Sequence, residues 1–217
     1  MSGTAKWSLA LAALLVVAPQ VVAQTSAVLD PIGDGEGFKV PLFQDIVRAE
    51  VSKKGNAFRF VMEVANRIPA SPPLDPPGVK LQEWSFRLDT DPTTCPAGFP
   101  FSSAPLTAAA DIMVFVLWDG VSFTAFVIDR TPSLTGGEAV ITPVPFDIKR
   151  REITVSVDAA IIGDPGSFGF RGFTEVWNDG LGTDSWQVLD IAPNGVHVFA
   201  NWPPPGSYTS SCPLVAP

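Results

Sequence analysis

The chain carries one histidine, one tyrosine, two cysteines and three methionines among 217 residues. Each scarcity removes a class of chemistry. The single histidine, His197, cannot supply the several imidazoles that zinc or di-iron catalysis draws on. A Ser-His-Asp triad would have to use it as well, and no G-x-S-x-G element precedes it. Cys95 and Cys212 lack the close C-x-x-C spacing of thiolate metal sites. Carboxylate pairs at glycosidase separation can always be picked from 22 acids, so they argue for no hydrolase. The sequence therefore reads as non-enzymatic. Basic residues are few, 14 against 22 acidic ones, and no cluster of Lys or Arg interleaves with aromatics, which sets nucleic acid aside as a partner. The one basic run, Lys149-Arg150-Arg151, reads as a solvated turn before a strand. No apolar run reaches the roughly 20 residues that span a bilayer.

The first residues set the expected compartment. Lys6 precedes an apolar run over residues 9–17, and Val21-Val22-Ala23 offers short side chains before Gln24. That is the pattern of a secretory signal peptide over residues 1–23, leaving residues 24–217 as one domain in the periplasm or outside the cell. Loss of Lys6 moves the net charge from -8 to about -9. In an oxidising compartment the two cysteines are most simply a disulfide, Cys95 to Cys212. On the chain-entropy account, closing so long a loop stabilises by about 4–5 kcal/mol.

Period-two alternation dominates, and helical periodicity is almost missing. Phe58, Phe60, Met62 and Val64 alternate with Ala57, Arg59, Val61 and Glu63, and Ile153, Val155 and Val157 alternate with Glu152, Thr154 and Ser156. Residues 112–118 and 121–128 flank Asp119-Gly120, a pair that favours a two-residue type I′ hairpin. Their nearly continuous apolar character predicts a central hairpin covered on both faces. Further strands are expected at 46–51, 83–90, 168–177 and 196–201, with a weaker one near Val140. Eight or more short strands separated by Pro and Gly predict an all-β, antiparallel β-sandwich. The segment "PASPPLDPP" (69–77) cannot donate into a ladder and belongs in a rigid loop.

Four stretches then line up in order: "DPIGDGEG" (30–37), "DIVRAEV" (45–51), "WSFRLDTD" (84–91) and "LDIAPNGVHVF" (189–199). Together they resemble the DOMON-like superfamily of exported β-sandwiches, especially domains similar to family 9 carbohydrate-binding modules. The resemblance implies a jelly-roll-like sandwich that binds sugars or haem, often with structural calcium and usually without catalysis. The Ala110-Asp111 pair looks like the small-residue and acid step that follows the "LDTD" strand in that family. Between Asp91 and Asp111 the chain departs from the pattern with an apolar, cysteine-bearing segment.

Three ligand chemistries can be weighed. Calcium takes six to eight hard oxygens. Asp30, Asp34 and Glu36 lie in a glycine-rich loop, and Asp89 and Asp91 share the strand face opposite Trp84, Phe86 and Leu88, so Asp30, Asp34, Asp89 and Asp91 could converge on one ion. The alternative is that these acids cap turns, with Arg87 pairing Asp89. A sugar site needs aromatic platforms beside polar groups. Trp177 and Trp186 bound the loop "WNDGLGTDSW", and Arg171, Glu175 and Trp177 share one strand face with Asp179 just beyond. The competing account packs both tryptophans beneath the loop, while Trp84 and Trp118 read as core. Haem needs axial His or Met. His197 stands alone, and Met62 and Met113 sit among apolar strand residues as core filler, which disfavours it. The reading at this point is an exported, non-catalytic module that binds polysaccharide or another glycan, with calcium as a structural ion. The alternatives are a haem-binding electron-transfer domain and a ligand-free envelope protein.

Overall fold

The computed structural model describes residues 24–35, 40–75, 77–91, 93, 110–178, 185–194 and 200–204. The expected signal peptide, Glu36, Cys95, Asp179, His197 and Cys212 lie outside those residues, as does most of the strand expected at 196–201. In chain order the strands are β1 (Gln24–Leu29), β2 (Ile46–Lys54), β3 (Ala57–Val64), β4 (Val79–Asp89), β5 (Ile112–Trp118), β6 (Phe123–Asp129), β7 (Val140–Pro143), β8 (Phe146–Lys149), β9 (Glu152–Asp158), β10 (Phe168–Asn178), β11 (Ser185–Ala192) and β12 (Ala200–Trp202). Among the described residues no helix is long and apolar enough to cross a membrane.

The strands form two antiparallel sheets. The smaller has the order β1-β2-β3-β9-β8, and the larger β11-β10-β4-β5-β6-β7, with β12 beside the first residues of β10. Alternation explains the core between them. Phe58, Phe60 and Met62 of β3 face Trp84, Phe86 and Leu88 of β4 and Phe168 and Phe170 of β10 in one buried cluster. Its aromatic rings meet edge-on and tilted: Phe58 lies 4.9 Å from Trp202 and 5.6 Å from Phe168, and Phe60 lies 5.4 Å from Phe86. The all-β sandwich expected from the sequence is the fold.

Two local features refine the expectation. The Asp119-Gly120 pair does not make a two-residue connection, because Trp118 pairs with Phe123 and the loop holds four residues. The Asp119 carboxylate accepts from the backbone N–H of Val121 (2.8 Å) and Ser122 (2.7 Å), and Gly120 supplies the positive φ, so two amide bonds favour the wider loop. The basic run does sit in a turn. Arg150 and Arg151 connect β8 to β9, with Arg151 2.6 Å from Glu63.

The proline-rich loop is tied to the core by side chains rather than by a ladder. Trp118 donates from Nε1 to the carbonyl of Pro72 at 2.9 Å, and Gln82 donates from Nε2 to that of Pro73 at 2.6 Å. Trp118→Phe keeps most of the ring and leaves the Pro72 carbonyl unpaired. Urea unfolding should show a loss of about 1–3 kcal/mol, and an unchanged midpoint would mean that the loop is held elsewhere.

Candidate functional site

The larger sheet has a second buried face. On β10, Phe168, Phe170 and Gly172 point to the core, so Arg171, Phe173, Glu175 and Trp177 point outward, as alternation requires. On β4 the outward set is Glu83, Ser85 and Arg87. The β4–β10 register sets Glu175 opposite Glu83 and Arg171 opposite Arg87, two like-charge pairs that would repel if left alone. Arg87 resolves this by lying along the face. Its guanidinium sits 4.0 Å above the Phe173 ring, donates from Nη2 to Glu175, and comes within 3.6 Å of Glu83. All three charged side chains are at most 2% exposed.

Beside this cluster lies a cavity of about 220 Å³. Met113 and Phe115 of β5 and Phe126 and Ile128 of β6 wall it, Glu83, Arg87 and Glu175 floor it, and Trp186 and Ile141 stand at its two ends. Its lining includes residues of β11 and β7, the strands at the two edges of the sheet. Ile141 is 63% exposed, so the β7 end meets solvent. The central hairpin is covered on both faces, as its apolar sequence requires. Met62 fills the inner core as expected, whereas Met113 belongs to the cavity wall.

Several floor atoms are buried and make no hydrogen bond: Glu175 Oε1, the Nε and Nη1 of Arg87, and Glu83 Oε1, which faces Arg87 Nη2 at 3.6 Å. Burial and the neighbouring Glu175 push the Glu83 carboxyl up to about 8. Burial, with Arg87 opposite, lowers Arg171 to about 10.

The residues expected to bind a ligand divide here. Trp177 and Trp186 oppose one another directly across β10 and β11, and both are half-buried. Arg171 and Glu175 lie on the predicted face but are each only 1% exposed. Asp179 lies outside the described residues. The sequence reading overlooked Glu83 and Arg87 as a floor, although the alternation that buried Trp84 already put them together on the other side.

A second cluster lies where β1, β2 and β11 meet. Carboxylate oxygens of Asp30, Asp34 and Asp190 lie within 4.8 Å of one another, and Asn194 donates from Nδ2 to Asp30 (2.9 Å) and Asp34 (2.5 Å). Asp45 sits under the same loop, accepting from the N–H of Gly33 at 2.9 Å, while Asp190 accepts from the N–H of Ile46 at 2.5 Å and so links the two sheets. Asp30 Oδ2 and Asp45 Oδ1 are buried without a hydrogen-bond partner. Burial, followed by repulsion from Asp190, Asp34 and Asp45, pushes Asp30 up to about 8, and burial pushes Asp190 up to about 6. Such a set of hard oxygens suits a divalent cation of the calcium type.

Of the four acids expected to converge, Asp30 and Asp34 meet, and Asp89 and Asp91 lie elsewhere. Asp190 is level with Thr174 and hence with Trp84, five residues along β4 from Asp89, about 16 Å at ~3.3 Å per residue. Asp91 accepts from the N–H and hydroxyl of Thr93, a turn-capping role. The expected Arg87–Asp89 pairing gives way to Arg87 with Glu175. Asp111 accepts from the N–H and hydroxyl of Thr90 and from the N–H of Asp91, fastening the end of β4 to the start of β5. Asp45 and Asp190 had a signal in the sequence, since both lie in the quoted stretches "DIVRAEV" and "LDIAPNGVHVF".

The loop over the acid cluster has no room to spare. A Cβ on Gly35 would lie 2.7 Å from the backbone carbonyl oxygen of Leu189, adjacent to Asp190, and 2.3 Å from Val40. Gly35→Ala should displace Asp34 and lower calcium affinity at least tenfold by isothermal titration, a loss of about 1.4 kcal/mol. Unchanged affinity would remove Asp34 from the site. No family model and no curated protein matches the chain.

Proposed function

We propose that the chain is an exported, non-catalytic binding module that takes its ligand on the outer face of the larger sheet. The observation that carries this reading is the cavity set against buried, hydrogen-bond-deficient charged groups. Native interiors seldom leave such groups unmatched, and a void beside them is where a partner belongs. A glycan is the second reading, favoured by the directly opposed, half-buried Trp177 and Trp186 at the β11 end. Its weakness is that Arg171 and Glu175 lie too deep to flank a sugar ring on the surface. The acid cluster of Asp30, Asp34, Asp45 and Asp190 is assigned to a structural calcium that clamps the sheets and takes no part in ligand recognition.

The test is a melting-temperature panel on the full chain with cello-, xylo- and malto-oligosaccharides and with small apolar compounds, repeated on Leu117→Trp. Leu117 lines the cavity and is half-buried, so an indole there fills the space. A compound that raises the wild-type melting temperature by several degrees and leaves the variant unmoved supports the reading. Equal stabilisation of both proteins, or none in either, opposes it.

A further inference from the structure

We propose that the outer-face cavity binds a small, electrically neutral amphiphile, an apolar body bearing one hydroxyl or amide group. This rests on the reading of that face as the ligand site and names the class of ligand. The walls supply Met113, Phe115, Leu117, Phe126 and Ile128, none of which can hydrogen-bond through its side chain in a useful way, so most of the ligand must be apolar. The floor asks for something else. Arg87 has two donor nitrogens, Nε and Nη1, and Glu175 one oxygen, that are buried and make no hydrogen bond. A group that both accepts and donates, such as a hydroxyl or a primary amide, answers both demands, since a buried donor or acceptor left unmatched opposes folding.

Charge narrows the class further. Arg87 is already paired with Glu175 and faces Glu83, so the floor leaves no counter-charge for a ligand anion or cation. Either would also be stripped of water among apolar walls, a large cost without a dedicated partner. Size limits the ligand as well. An apolar cavity of about 150 Å³ accepts benzene, and drug-sized ligands occupy pockets of about 300–1,000 Å³. A cavity of about 220 Å³ fits a single ring with a short tail, and not a macrocycle.

Isothermal titration of the full chain with four congeners tests this: 4-propylphenol, propylbenzene, 4-propylbenzoate and 4-propylbenzylammonium. The phenol should bind at least tenfold more tightly than the other three, and Leu117→Trp should abolish its binding. Ile128→Trp, filling the cavity from the neighbouring strand, repeats the test if Leu117→Trp fails to fold. Equal affinity for propylbenzene would show that the floor reads no polar group, and tighter binding of either ion would overturn neutrality. If no congener binds while an oligosaccharide stabilises wild type and not the filled variant, the ligand class is wrong and the site stands. If nothing distinguishes wild type from the filled variants, both fail.

Discussion

Replacing Arg87 by methionine should cost about 3–5 kcal/mol of folding stability near neutral pH, because it leaves two facing carboxyl groups in the sheet with no cation between them. Methionine retains much of the stem that lies over Phe173, so the loss reports charge more than volume. The same cluster sets a pH dependence in the wild type. Glu83 holds its proton in the folded chain up to about 8, against an ordinary 4.5 when unfolded. A raised carboxyl binds protons more tightly in the native state, so its contribution is fully present below about pH 4.5 and is lost as the pH rises towards 8. Glu83→Gln removes that slope, and the penalty of Arg87→Met should be larger at pH 8, where Glu83 begins to ionise opposite Glu175 with no cation between them, than at pH 5. Urea unfolding at pH 5 and pH 8 checks all three statements. An Arg87→Met protein within about 1 kcal/mol of wild type at both values would mean that the cluster is solvated.

Calcium should stabilise the chain by about 2.7 kcal/mol at a hundredfold excess over its dissociation constant, and chelation should remove the gain. The physical ground is the three acids, Asp30, Asp34 and Asp190, gathered at the junction of β1, β2 and β11 with Asp45 beneath the same loop, an Asp30 oxygen buried without a hydrogen bond, and Asp190 bridging to Ile46 of the other sheet. A cation there would neutralise repulsion that otherwise opposes docking of the two sheets. Asp190→Asn can keep the bond to the Ile46 amide through its side-chain oxygen while removing one charge. It should fold and should weaken calcium binding at least tenfold, whereas Asp91→Asn, at a turn beyond the end of β4, should not. Calcorimetric titration in chelator-treated protein distinguishes the two variants, and equal weakening by both would place the ion elsewhere.

Period-two alternation made most of the sandwich legible. It placed Trp84, Phe86 and Leu88 in the core and put Arg171 and Glu175 on one outward face. It could not show that this outward face is itself buried, because polar and charged residues there look the same as a solvated surface until a third layer of contacts is known. Strand β11 escaped because its register shifts between Thr174 and Glu175 of β10, which breaks the alternation around Leu189. The acid cluster was half visible. Asp30 and Asp34 sit in one loop, but their partners Asp45 and Asp190 come from strands distant in sequence, and pairing geometry alone decides that Asp190, and not Asp89, is the neighbour.

The methionine methyl groups report directly on whether the cavity on the outer face of the larger sheet is open. The chain has three methionines, of which Met113 lines the cavity and Met62 lies in the core on the opposite side of the same sheet. Xenon enters apolar cavities that have room for it. In protein labelled with carbon-13 at methionine methyls, xenon pressure should shift the Met113 resonance progressively and leave that of Met62 in place. A Met113 signal that stays fixed while the protein remains folded would mean that the cavity is filled, and would contradict the account.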